Sequence, residues 1–281
     1  MKRVVTIQDF SCVGRCSLTA ALPVISAAGV ECCGIPTAVL SNHTGFSRFY
    51  SRDLTEEIAP ISDMLASLGI SFDALYTGYM ASSAQMEMIC GFIERFAGGG
   101  ALVFVDPVMG DDGRLYAALT SDYPEKMRAL CARADIIALN LTEACMLTGS
   151  DFIERPCGDD FKRLLNALAE LGARRAVITG AFPEDRRDLT GVMGFDGGEY
   201  FGTFTPREDI SCSGTGDLFA SALLGAYMRG QTLTQAAGTA VKFTYRAVQL
   251  TRADPCRREY GVGFEAALPY YIELLGDNDC R

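Results

Sequence analysis

The chain has 281 residues, 49% of them hydrophobic and 21% charged, and a formal net charge of −10 at pH 7. That length suits one large α/β domain with room for a deep cleft, residues 1–281 forming a single unit. The acidity excludes the counterion-release binding that nucleic-acid partners depend on, but not a nucleotide, since ATP sites rest on local backbone N–H groups, a metal ion and a few cations.

In chain order, short β-branched runs alternate with longer segments of helical spacing. A strand is expected over 4–8 (VVTIQ), then a helix over 17–28 stopped by Gly29, then a strand over 36–40 (PTAVL). A helix over 58–68 ends at Gly69, a strand follows at 74–78, and a helix over 83–96 ends in Gly98-Gly99-Gly100. Strands at 102–106 (LVFVD), 135–140 (DIIALN) and 176–180 (AVITG) bracket a helix over 161–171 that ends at Gly172. Residues 190–205 read as a hairpin turning at Asp196-Gly197-Gly198. A last helix starts near Asp217, where Leu218, Phe219, Ala222, Leu223 and Ala226 recur at helical spacing. Strand–helix alternation implies βαβ units in a mostly parallel sheet covered by helices on both faces. No linker, low-complexity run or internal repeat breaks it. The tail at 276–281 is expected to fray.

Eleven cysteines form an odd set without a framework, several inside apolar runs, so a disulfide scaffold is not expected and a reducing cytosol is. With no CxxC pair and His43 as the one histidine, Cys12 and Cys16 do not read as a metal site. Residue 1 leads straight into a strand, without the pattern of a signal peptide, and no apolar run approaches the roughly 20 residues of a membrane span. A cytoplasmic protein without a membrane partner is expected.

In open α/β sheets, ligands bind beyond the carboxyl ends of the strands. Polar residues gather there: Gln8-Asp9, Asn42-His43-Thr44, Tyr79, Asp106, Asn140 with Glu143, and Thr179. The segment 211–230 carries the most chemistry. Gly214, Thr215 and Gly216 immediately precede the helix, so a tight turn and a helix N-terminus together present bare N–H groups to an anion. Asp217 at that point can accept a proton from a substrate hydroxyl; the plainer reading is a first-turn carboxylate that stabilises the helix.

GTGD followed by an apolar helix resembles the C-terminal signature of ribokinase-like kinases. SNHTGF (41–46), TGYM (77–80), DPVMGDDG (106–113) and ADIIALNLTEACMLTG (134–149) resemble, in the same order, segments of the pyridoxal kinases of that superfamily. The resemblance spans roughly residues 4–250 and implies a three-layer ribokinase-like α/β fold. It also implies ATP-dependent phosphorylation of the 5'-hydroxymethyl group of pyridoxal, pyridoxamine or pyridoxine, with Mg2+, in a homodimer.

Carried onto this chain, the resemblance makes Asp217 the base and the N–H groups of Gly214, Thr215 and Gly216 the anion hole. Asp106 and Glu143 stand near magnesium and the ATP phosphates, Glu143 through water, with Asn140 orienting them. Ala138, Thr179, Thr205, Pro206, Lys242 and Phe243 flank the nucleotide. Thr44 with Gly45 contacts the pyridine ring, and Tyr79 and Leu40 pack on it. Plainer readings stand beside these: a turn cap before Pro107 for Asp106, a solvated first-turn acid for Glu143, and a packing or capping histidine for His43.

The family's I-Q-S-H is Ile7-Gln8-Asp9-Phe10 here, and its aromatic residue before SNHTG is Leu40. An ionised carboxylate only accepts hydrogen bonds, so Asp9 is expected either to pair with a protonated ring nitrogen or the pyridoxamine amine, or to bind local backbone. Residues 46–55 read as a lid, a surface loop or a dimer contact. Hydroxymethylpyrimidine is the closest alternative substrate, and a non-catalytic B6 carrier is a second alternative. A dinucleotide-dependent dehydrogenase is excluded, because G-x-G-x-x-G is absent after the first strand.

Overall fold

The computed structural model describes residues 1–276 except Asp185 and Glu259. The tail expected to fray falls, beyond Gly276, outside the described residues. The first half of the chain runs β1 (Arg3–Ser11), α1 (Ser17–Ala27), β2 (Glu31–Leu40), β3 (Ser51–Asp53), α2 (Thr55–Ser67), β4 (Ala74–Thr77), α3 (Ser83–Phe96) and β5 (Leu102–Val105). A small hairpin, β6 (Gly110–Asp111) and β7 (Arg114–Leu115), follows, then α4 (Tyr123–Cys131), β8 (Ile136–Leu139), α5 (Leu141–Thr148) and α6 (Gly158–Glu170). The last third holds β9 (Arg175–Ala181), β10 (Leu189–Asp196), β11 (Glu199–Pro206), α7 (Thr215–Met228), α8 (Leu233–Ala253) and α9 (Leu268–Leu275).

Nine strands make one sheet in the order β11-β10-β9-β8-β5-β4-β1-β2-β3. The six from β9 through β8, β5, β4 and β1 to β2 are mutually parallel, and antiparallel strands close both edges. The six strands expected from sequence are the parallel core, and the expected hairpin is β10–β11, with Asp196 paired to Glu199 across Gly197-Gly198.

Alternation along the strands divides the apolar residues between two layers. Val5, Leu75, Val105 and Ile137 pack with α3, α4, α5 and α6, while Val4, Tyr76, Phe104 and Ile136 pack with α1, α7, α8 and α9. Central strands buried on both faces are what a near-continuous apolar run such as LVFV requires. This is the three-layer α/β arrangement expected. No helix among the described residues is long and apolar enough to cross a membrane. The ten described cysteines are free thiols.

The edge hairpin depends on close backbone approach. A Cβ at Gly191, where the β9–β10 register slips, would collide with the Thr203 carbonyl oxygen and lie 2.8 Å from Phe204 Cα. Gly191→Ala is expected to cost about 1–3 kcal/mol through overpacking, read as a lower denaturant midpoint at an unchanged slope. An unchanged midpoint would show that the hairpin shifts freely.

Candidate active site

The parallel strands deliver their carboxyl ends to one edge, and the loops there bring the charged residues together. Asp9 sits near the end of β1, where the β1–β2 ladder slips by one residue between Gln8 and Phe10. Such bulges re-aim side chains beside sites. Asp9 is 5% exposed and accepts hydrogen bonds from Ser17 Oγ at 2.5 Å and Ser11 Oγ at 3.1 Å. Burial raises its pKa, and those two hydroxyls hold it down. His43, Tyr79, Cys16 and Asp217 all lie within electrostatic reach of it.

Asp217 occupies the first turn of α7, partly open to solvent. Burial pushes its carboxyl up to about 7; the backbone N–H of Ser17 opposes that, and the charge of Asp9 adds to it. Gly214 precedes the helix in the left-handed region, φ 80°, and a Cβ there would strike the Arg15 carbonyl oxygen. Glycine is therefore needed twice over at this position, for its backbone angle and for the contact. Thr215 Oγ1 donates to the Cys212 carbonyl at 3.4 Å, and Gly216 is exposed. No side chain caps α7, so its first N–H groups keep their anion-binding character.

Across the site, Asp106 follows β5 and is buried, facing the carboxylates of Glu143 and Asp217. Burial first, then those two negative neighbours, hold its pKa well above the usual carboxylate range. Burial also pushes Glu143 up to about 8, although it accepts the N–H groups of Asn140 at 2.8 Å and Met109 at 3.2 Å. Asn140 completes a capping box on α5: its Oδ1 accepts the Glu143 N–H at 2.9 Å, and its Nδ2 donates to the Gly110 carbonyl at 2.9 Å. The box ties the β6–β7 hairpin to α5. Glu143 is therefore a capped and buried acid, not the solvated one of the plainer reading.

Two buried carboxylates facing each other without a cationic side chain make an incomplete electrostatic arrangement that a divalent cation completes. Asp106 receives no N–H donor comparable to those on Glu143, so its oxygens are the freer for an ion. No group of three or more His, Cys, Asp or Glu suited to a metal occurs among the described residues. That suits magnesium, which takes one or two carboxylates and fills its shell with phosphate and water.

On the other flank, Leu40 ends β2, is buried, and stands outside both core layers. Thr44 and Gly45 are exposed in the loop that follows. His43 Nδ1 accepts the Gly45 N–H at 3.0 Å, and its ring meets Phe46 edge-on with centroids 4.9 Å apart. The histidine thus packs and caps. A Cβ on Gly45 would come within 2.7 Å of that ring. Phe46 also stacks on Tyr260 at 6.1 Å, which anchors the start of the 46–55 segment, and Ser51–Asp53 of that segment pairs with β2 as an edge strand.

On the nucleotide side, Thr179 Oγ1 donates to the Leu139 carbonyl at 3.4 Å, Thr205 and Pro206 end β11, and Lys242 is exposed on α8. Two expectations are corrected. Phe243 is fully buried and stacks on Tyr271 at 4.7 Å, and Ala138 is 2% exposed within the same layer, so both side chains are core. Tyr116 and Asp111, not anticipated from sequence, join the acidic cluster: the Tyr116 hydroxyl is driven up by burial and by Glu143, Asp111, Asp217 and Asp106. A separate cavity of about 280 Å³, lined by Lys2, Phe72, Asp73 and Gly99 among others, opens at the amino-terminal edge of the sheet, away from all these groups.

Residues 14–262 match the family model described as phosphomethylpyrimidine kinase. A Bacteroides thetaiotaomicron protein provisionally named a phosphomethylpyrimidine kinase, crystallised with pyridoxal, is 33% identical, covers 96% of this chain and 95% of its own, and superposes with a TM-score of 0.91. Pyridoxal kinase from Lactobacillus plantarum is 31% identical, covers 98% of each chain, and gives a TM-score of 0.89. A pyridoxal kinase from Rubrobacter xylanophilus is 27% identical over 261 residues, 88% of this chain and 87% of that one. Fold, conserved order of the loops and these likenesses agree: the chain belongs to the phosphomethylpyrimidine kinase family of ribokinase-like kinases, alongside the pyridoxal kinases.

Proposed function

We propose that the chain, as one kinase domain, transfers the γ-phosphoryl group of ATP to the 5'-hydroxymethyl oxygen of a B6 vitamer. The observation that carries this reading is Asp217, a carboxyl poised near pH 7 beneath an uncapped helix N-terminus. A base of that pKa takes the hydroxyl proton as the oxygen attacks phosphorus, and the N–H groups of Gly214, Thr215 and Gly216 receive the charge that spreads over the phosphoryl oxygens. Asp106 would hold Mg2+, with Glu143 reaching it through water because its own oxygens already accept backbone N–H groups. Magnesium supplies neutralisation of phosphate charge when bound.

Thr179, Thr205, Pro206 and Lys242 flank the nucleotide in this reading, with Asn140 orienting Glu143. Leu40, Thr44, Gly45 and Tyr79 hold the ring beside Asp9. The relatives named for pyridoxal, one of them crystallised with it, support the vitamer as substrate. The same reading takes the cytosol as the location and a homodimer as the assembly, on family resemblance.

The test is incubation with Mg-ATP and, separately, pyridoxal, pyridoxamine, pyridoxine and hydroxymethylpyrimidine, with products identified by mass spectrometry. A phosphorylated B6 compound is expected, and Asp217→Ala should not make it. Product from the pyrimidine alone would overturn the substrate, and no product at all would overturn the reaction.

A further inference from the structure

Ser17 belongs to no motif that points to catalysis, yet it touches both carboxylates of the substrate side. It is the first residue of α1 and holds φ 46°, one of two non-glycine residues with positive φ among those described. That conformation crowds an L-residue's Cβ against its carbonyl and persists only where the surroundings enforce it. Here the surroundings are visible. The Ser17 hydroxyl donates to Asp9 Oδ1 at 2.5 Å, and the residue is 6% exposed. Just before it, the Arg15 carbonyl oxygen is pressed against Gly214, so the turn before α1 and the turn before α7 interlock. The backbone N–H of Ser17, an orphan donor at a helix start, is spent on the Asp217 carboxylate.

We infer that Ser17 is a positioning residue: its left-handed backbone aims its N–H at the Asp217 carboxylate, and the clasp of its hydroxyl on Asp9 keeps that backbone in place. This rests on the reading of Asp217 as the base. Two carboxylates from different strands and helices are thereby held by a single residue, one through its side chain and one through its main chain. The strain serves orientation. A relaxed right-handed residue at this position turns its N–H back into the helix direction and leaves the base to rotate.

The comparison that isolates the backbone is Ser17→Ala against Ser17→Gly. Both lose the hydroxyl clasp on Asp9 equally. Glycine adopts positive φ without strain, whereas alanine pays for it and, unclasped, relaxes. Ser17→Ala is expected to lower kcat about 10- to 100-fold, the usual cost of a misplaced group, with KM for ATP and for the vitamer within twofold of the parent. Ser17→Gly is expected to restore kcat to within threefold of the parent.

Thermal midpoints are measured alongside, because a merely structural serine would lower them without separating the two variants in kcat. Equal kcat losses in Ala and Gly would overturn the inference, since the hydroxyl alone would then matter. Parental kcat in both would overturn it too. If the alanine protein does not fold, Ser17→Cys, near-isosteric and a weak donor, takes its place in the same comparison. A fully active Asp217→Asn protein would instead sink the base assignment, a distinguishable failure.

Discussion

Asp217→Asn is expected to lower kcat about 100- to 10,000-fold, the range over which a positioned base contributes, while leaving binding of ATP and vitamer close to parental. The asparagine keeps the shape of the first turn of α7 but cannot accept the proton. The pH profile of kcat/KM makes the assignment sharper. Burial sets the free Asp217 carboxyl at about 7, so below that pH it is protonated and unable to act. Activity must rise with pH through that region and level off above it; a general acid would give the opposite slope. In Asp217→Asn the residual activity should lose this limb. Survival of the limb in the variant would assign it to another group, with Glu143, pushed up to about 8, the nearest candidate.

The layered fold was legible because each central strand is a dense apolar run and most helices stop at glycine, and these local signals agree with the global arrangement. The short pieces were not. β3 and the β6–β7 hairpin are two or three residues each, too short to carry a period, and they exist because loops on the carboxyl edge are pinned from outside. In the site, residue types with chemistry on their side chains were readable: Asp9, Asp106, Asn140, Glu143 and Asp217 do converge.

What escaped notice depends on backbone or on three-dimensional neighbours. Nothing in the letters Arg15-Cys16-Ser17 announces a positive φ at serine, and Tyr116 reaches the acidic cluster only because the hairpin folds it back. Phe243 is a different kind of miss. It stands at helical spacing with Ala236, Ala240 and Ala247, all buried, so the periodicity of α8 already placed it in the core, and family resemblance overrode that signal.

Asp9 is where this chain departs from its resemblance, and the expected result is that Asp9→Asn raises KM for a B6 vitamer about 10- to 100-fold. The carboxylate is buried with two hydroxyl donors, one on each oxygen, and forms no ion pair with Lys or Arg among the described residues. A charged group in that position is undercompensated, and each of its oxygens keeps a lone pair for a further donor. A protonated pyridine nitrogen or an ammonium supplies both the donor and the charge; a charge-assisted hydrogen bond contributes about 1.5–3 kcal/mol, which sets the KM range given. The plainer reading, a carboxylate that binds local backbone, finds its partners in Ser11 and Ser17 side chains instead.

The three vitamers separate the two cationic partners. All carry the ring nitrogen, so equal losses in Asp9→Asn identify the ring; a loss concentrated on pyridoxamine identifies the amine. Asp9→Ser, which restores the residue of the resembled family, should in the amine case also shift relative efficiency from pyridoxamine toward pyridoxal. Unchanged KM for all three vitamers in both variants would show that Asp9 serves only to hold Ser17, and the substrate cation would need another partner.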